Sequence, residues 1–396
     1  MKYALLVGDG MADWPVPALS NRTPLECAQT PNMDRVVAKG MMGMVSTIPA
    51  GMQPGSDVAN LALLGYDPAR YYSGRAPFEA ASMGIKLADA ETAFRCNLVT
   101  IDSETMIDYS AGHITTDEAH RVVRELQQHL TTESIRFYPG VSYRHLTVCR
   151  DFPDGVSCTP PHDITGRPIR SYLPQGDGAE LLLGLMRKAH GLLLDSPVNR
   201  ERRAGGKSPA TDIWLWGQGR SLSLPTITQR YGIKGSVISA VDLVRGLGVL
   251  AGLKIRLVDG ATGYLGTNYA GKIAAAFAAL EAEDMVYLHV EAPDETGHEG
   301  IAEKKIKAIE EFDRHIVGEM LRFQEKRADL RILVAPDHAT PLEIKTHSSE
   351  PVPFAICGPG IHADNHTVFS EAEARDCSPI SGPELFDRFV KWNSVM

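Results

Sequence analysis

Six side chains able to hold a cation, and one hydroxyl able to act as a nucleophile, recur at related positions in this sequence. Asp9 follows the apolar run 3–7, within Gly8-Asp9-Gly10. Asp294 follows the run 285–289, within Glu291-Ala292-Pro293-Asp294-Glu295-Thr296-Gly297-His298. Asp337 and His338 follow the run 330–335, behind Pro336. His347 comes nine residues after His338, in Lys345-Thr346-His347-Ser348-Ser349. Short apolar runs of this kind read as buried strands. The carboxylates then stand at strand carboxyl ends, the edge where open α/β sheets bind ligands. His298 and His347 read as loop residues close behind. Three carboxylates, three imidazoles and a serine oxygen suit divalent transition metals such as Mn²⁺ or Zn²⁺. One tetrahedral ion needs fewer donors. Two ions about 4 Å apart would use them all and would flank a phosphoryl group in transfer.

The serine is Ser56, in Gln53-Pro54-Gly55-Ser56-Asp57-Val58-Ala59-Asn60. Pro and Gly mark a tight turn. Residues 58–64 read as a short helix closed by Gly65, which puts Ser56 at or just before a helix N-terminus. Free N–H groups and the helix dipole favour negative charge there. Ser56 serves either as a plain N-cap or as a nucleophile with an adjacent source of positive charge.

The elements that must position these residues follow an α/β pattern. Strands are expected at 3–7 and 44–48, with a helix at 30–38 capped by Thr30 between them. Glycine, proline and aromatics at 71–77 suggest a domain crossing. From residue 92 the texture changes: strands at 92–100, 106–109, 135–138 and 143–149 surround an amphipathic helix at 115–130. This predicts a compact α+β insert over 77–177, with 1–76 and 178–396 forming a discontinuous core. A helix at 179–194 follows. The basic stretch 199–207 reads as a solvated loop. Strands at 213–216, 236–240, 254–258, 285–289, 330–335 and 354–357 alternate with helices ending near 252, at 270–281 and at 301–322.

The chain has 396 residues, net charge -9 and a pI near 5.8. Composition is ordinary for globular protein and long enough for two cores. The acidic balance argues against nucleic-acid and anionic-membrane partners. The first nine residues are no signal peptide, because Asp9 cuts off a short apolar run. No stretch approaches a membrane span. Six scattered cysteines without a Cys-x-x-Cys pair fit reduced thiols in a cytoplasmic protein.

Taken together, Gly8-Asp9-Gly10, Pro54-Gly55-Ser56-Asp57, Asp294-x-x-x-His298, Asp337-His338 and His347 resemble the alkaline phosphatase superfamily. Within it they resemble most closely the cofactor-independent phosphoglycerate mutases of archaeal type. The resemblance covers nearly the whole chain. It implies an alkaline-phosphatase-like sandwich with a central, mostly parallel sheet flanked by helices, plus a smaller α+β insert acting as a substrate-binding lid. It implies one metal held by Asp9, Ser56, Asp337 and His338, and another by Asp294, His298 and His347. Mn²⁺ is the expected ion, with Mg²⁺, Zn²⁺ or Co²⁺ as alternatives. Ser56 would accept the phosphoryl group and return it to glycerate, interconverting 3- and 2-phosphoglycerate without 2,3-bisphosphoglycerate. The substrate would be a small phosphorylated carboxylic acid. Arg75, Arg95, His113, Arg144 and Arg167 are the candidate anion binders of the insert, Asp108 a candidate for the hydroxyls, and Arg245 for the phosphate. Archaeal-type members carry Asp-Arg-x-Ala-Gly-Arg where this chain has Asp108-Tyr109-Ser110-Ala111-Gly112-His113. That departure leaves an alternative open: a related metal-dependent phosphotransferase with another acceptor, such as a homoserine kinase-like enzyme, or a phosphatase.

Overall fold

The computed structural model describes residues 1–392. Its strands, in chain order, are β1 Lys2–Gly8, β2 Met41–Ser46, β3 Glu91–Asp102, β4 Thr105–Asp108, β5 Ile135–Val141, β6 Arg144–Arg150, β7 Asp212–Arg220, β8 Gly235–Ile238, β9 Lys254–Ile255, β10 Met285–Val290, β11 Leu330–Ala335, β12 Val352–Cys357 and β13 Ile380–Ser381. The chain divides into two compact units. One is Met1–Tyr72 with the chain from Ser223 onward; the other is Ser73–Leu222.

The first unit is built on an eight-stranded sheet ordered β13-β2-β12-β11-β1-β10-β8-β9. β11, β1, β10 and β8 are consecutive parallel neighbours, and β12 runs antiparallel to both β11 and β2. Both faces of the central strands are buried, which is why they read as continuous apolar runs instead of alternating ones. Ala4 and Leu6 join a core with Val286, Leu288, Ile332 and Val334, packed by the helices Tyr269–Ala282 and Ala302–Phe312. Alternate residues point the other way. Tyr3 meets Phe389 of the helix Gly382–Lys391 edge to face at 5.5 Å, and the Tyr287 hydroxyl bonds Asn60 of the helix Ser56–Leu63.

The helix Pro31–Ala38 begins behind Thr30 as expected, but Thr30 makes no side-chain cap. Asp313 supplies it from far along the chain, accepting from the main-chain N–H groups of Met33 at 2.7 Å and Asn32 at 3.2 Å. Asp313 opens a π-helical turn, Asp313–Val317, between Ala302–Phe312 and Gly318–Glu325. A carboxylate at a helix N-terminus satisfies orphan donors and the dipole together.

The second unit is an antiparallel sheet in which β3 pairs with β4, β6 and β7, and β5 with β6. It extends beyond the expected 77–177 at both ends. β7 pairs with β3 from Thr92 opposite Arg220 to Val99 opposite Asp212, so the strand expected in the core belongs to the insert. The helix Ala179–Leu194 goes with it, since Leu182, Leu185, Met186 and Leu193 share a core with Leu126, Phe94 and Trp214. The expected loop at 199–207 is in part the helix Pro197–Ala204, started by proline at its first position. Arg202 is buried, with its guanidinium donating to Ser208 O, Ala111 O and Glu118.

In the first unit, Glu371 ties the chain near residue 13 to the segment after β12. Its carboxylate accepts from Asp13 N at 3.1 Å and Thr23 Oγ1 at 2.8 Å. Burial pushes its pKa up to about 7 from the ordinary 4.5. The folded form therefore holds this proton more tightly than the unfolded form. The resulting stability is present below the unfolded value and is lost as pH rises through the folded one. Thermal melts of Glu371→Gln and the parent over about pH 5 to 8 are expected to diverge, the parent losing stability relative to the variant. Parallel curves would show that Glu371 carries no such linkage.

Candidate metal centre and nucleophile

Because β11, β1 and β10 are adjacent and parallel, their carboxyl ends share one edge, and Asp337, Asp9 and Asp294 leave that edge together. Asp294 and His298 lie on the helix Ala292–Glu299, not on a loop. Pro293 at its first turn and the acids Asp294 and Glu295 behind it favour that start. The i,i+4 spacing of Asp294 and His298 places both on one helix face.

Ser56 is the first residue of its helix, behind Gly55. Its Oγ lies 3.1 Å from His338 Nε2. The same nitrogen is 3.4 Å from Asp9 Oδ1 and 3.6 Å from Asp337 Oδ2. Thr340 fixes the His338 tautomer. Its hydroxyl hydrogen goes to Asp294, so its oxygen can accept from Nδ1–H at 3.3 Å, leaving the Nε2 lone pair facing the acids and Ser56. Asp337 is held by Gly10 N at 3.0 Å, His338 N at 2.9 Å and Asn60 Nδ2 at 2.7 Å. Asn60 Nδ2 also donates to Ser56 O at 2.7 Å, linking acid and serine through one amide.

On the other side, His298 Nε2 lies 3.1 Å from Asp294 Oδ2 and 3.1 Å from His347 Nε2. His347 Nε2 is 3.5 Å from Asp294 Oδ1. His298 Nδ1–H donates to Lys345 O at 2.9 Å, which turns its second nitrogen inward.

Three donor groups thus converge: Asp294, His298 and His347; Asp9, Asp294 and His338; Asp9, His289 and Asp337. All three carboxylates are buried, and among the described residues Asp9 Oδ1 has no hydrogen-bond partner. Desolvation, then the neighbouring Asp337 and Asp294 charges, push the Asp9 carboxyl well above its usual range. Burial opposes charge on His298, yet the Asp294 carboxylate outweighs it and raises the imidazole to about 9. Like charges crowded in low dielectric, with imidazole nitrogens aimed among them, fit divalent cations.

The chain matches the family model of 2,3-bisphosphoglycerate-independent phosphoglycerate mutase over residues 38–199. A relative of that name from Methanothrix thermoacetophila is 53% identical over 377 residues, which span 95% of each chain. This chain belongs to the 2,3-bisphosphoglycerate-independent phosphoglycerate mutase family. Two solved structures share its fold. The PH0037 protein from Pyrococcus horikoshii superposes with a TM-score of 0.81 at 29% identity over 98% of this chain and 97% of that one. The cofactor-independent phosphoglycerate mutase from Thermoplasma acidophilum gives 0.67 at 26% over 99% and 100%.

The remaining candidates for substrate contact in this family member are placed differently. Arg245 lies in the first unit with its guanidinium already donating to Ser239 O, Ala240 O and Asp242 at 2.8 to 3.1 Å. Arg75, Arg95, Asp108, His113, Arg144 and Arg167 belong to the second unit. Arg75 and the buried Arg95 share Glu79, at 3.6 and 3.0 Å, and Arg95 stacks 4.2 Å over Trp216. Asp108 accepts from Ser110 N, Ser110 Oγ and Gly112 N, pinning a loop in which Ala111, Gly112 and His113 all have positive φ. His113, Arg144 and Arg167 are exposed, with Arg144 5.5 Å over the Tyr143 ring.

Sequence reasoning missed His289, Glu291, Lys272, Asn60 and Thr340. A histidine closing an apolar strand and a lysine inside an apolar helix were the available signals. Gly10 has φ +60, and a Cβ there would stand 2.4 Å from Thr340 Oγ1 and 2.6 Å from Asp294 Oδ1. Gly10→Ala should therefore lower unfolding free energy by at least about 2 kcal/mol, read as an earlier denaturant midpoint, and weaken divalent-ion binding. A variant unchanged in both would refute this close packing of the centre.

Proposed function

We infer that this chain interconverts 3-phosphoglycerate and 2-phosphoglycerate without 2,3-bisphosphoglycerate, passing the phosphoryl group through Ser56. The observation that carries the reading is the Ser56 hydroxyl at the start of its helix, 3.1 Å from His338 Nε2, a nitrogen that is itself 3.4 Å from Asp9 Oδ1 and 3.6 Å from Asp337 Oδ2. The 53% identity to a relative named for this activity supports it.

Asp9, Ser56, Asp337 and His338 would hold one divalent ion, and Asp294, His298 and His347 the other, with Mn²⁺ the ion we assign. Bound there, the ions would supply Lewis acidity that makes the serine hydroxyl nucleophilic and offsets charge on the phosphoryl oxygens. Ser56 Oγ forms a bond to phosphorus as the substrate's ester oxygen leaves with the proton that the serine gave up. The other glycerate hydroxyl then attacks the phosphoserine, and Ser56 Oγ departs and regains a proton. Phosphorus changes oxygen twice and nothing is consumed. The helix N-terminus favours the negative charge that gathers around Ser56. Asn60 and Thr340 keep the groups around it in one arrangement. The candidates for the substrate carboxylate are Arg75, Arg95, His113, Arg144 and Arg167.

The test is turnover of 3-phosphoglycerate with Mn²⁺ and no added bisphosphoglycerate, read through enolase. Activity is expected to vanish on chelation and to fall by roughly 10³-fold or more in Ser56→Ala. Dependence on added 2,3-bisphosphoglycerate would overturn the reading. So would transfer of phosphate only to water or to an amino-acid hydroxyl.

A further inference from the structure

We propose that Lys272, Glu291 and His289 form a relay that positions Asp9 for its cation, with His289 the positioning residue in contact with that acid. The proposal rests on the two-ion reading above. Lys272 sits in the helix Tyr269–Ala282 with no exposed surface. Its ammonium donates to Glu291 Oε2 at 2.7 Å and to the carbonyl of His289 at 2.9 Å. The other Glu291 oxygen accepts from Ser239 Oγ and Ala240 N, both at 2.7 Å, and faces His289 Nδ1 at 3.3 Å. His289 Nε2 faces Asp9 Oδ2 at 3.3 Å and Asp337 Oδ2 at 3.9 Å. The imidazole thus stands between Glu291 and the acids of the centre, at separations where it steers a carboxylate electrostatically rather than through an ideal hydrogen bond.

Two features make this more than packing. Burying a lysine, a glutamate and a histidine behind a parallel sheet is a costly way to fill space that apolar side chains fill better. Asp9 also needs the support. Asp337 is fixed by Gly10 N, His338 N and Asn60, whereas among the described residues Asp9 Oδ1 has no hydrogen-bond partner, only His338 Nε2 at 3.4 Å, and its Oδ2 faces His289. Partners behind a coordinating group orient it, and losing them weakens metal binding. The relay also reaches Arg245, whose guanidinium holds Ser239 O and Ala240 O and so keeps both Glu291 donors in place.

Calorimetric titration of the metal-free protein with Mn²⁺ tests this, with apo melting temperature as the control for structure. Wild type is expected to take up two ions. Glu291→Gln should weaken one of them by about ten- to a hundredfold and leave the other unchanged. Glu291→Gln leaves the Lys272 charge buried without its partner, so the double variant Lys272→Met/Glu291→Gln accompanies it. That variant is expected to melt closer to wild type while still binding one ion weakly. Two wild-type affinities in either folded variant would overturn the relay. Wild type that binds fewer than two ions would remove the two-ion reading, and the relay with it.

Discussion

Three carboxylates buried within a few ångströms of one another cannot all be ionised without a compensating charge. Asp9, Asp294 and Asp337 are at most 7% exposed, so water does not supply it. Much of the site follows from that constraint. His338, His298 and His347 stand among the acids, and Thr340 and Lys345 turn two of those imidazoles so that Nε2 points inward. A dication would answer the excess negative charge and would take the same nitrogens as ligands in place of their protons. Among the described residues, Ser56 is the hydroxyl that meets this charge balance while also beginning a helix.

The scaffold earns its precision from parallel pairing. Register matches Gly8 with Val290 and Val7 with Ala335, so three strands end level and their acids start from one line. Close approach then depends on glycine. Gly10 brings its chain against Asp294 and Thr340, and Gly297 lets the helix Ala292–Glu299 lie against Thr340. Lys305, fully buried, binds Asp13 at 2.7 Å and the carbonyls of Ala12 and Thr340 at 3.0 and 2.8 Å, joining the loops that follow β1 and β11.

What the sequence revealed and what it hid have physical reasons. Apolar strands that stop at Asp9, Asp294 and Asp337 show their position because both sheet faces are covered. Ser56 showed itself through the turn chemistry before it. The sequence reads a shorter insert than the fold has, because the apolar residues of β7 look the same whichever sheet they join; only pairing with β3 decides. Residues 199–207 read as a loop because their charges hide an Arg202 buried against partners 91 and 84 residues away. Lys272 shows in the sequence only as a lysine inside an apolar helix, and Glu291 not at all, for a related reason: a buried ion pair looks like two surface residues until its elements meet.

The central claim is that Ser56 carries the phosphoryl group between two hydroxyls of one substrate. Mass spectrometry of enzyme quenched with acid during turnover of 3-phosphoglycerate tests it most directly. The account predicts one phosphoryl group on the peptide containing Ser56, at the serine itself. Turnover with phosphate on a different residue, or on none, would contradict it.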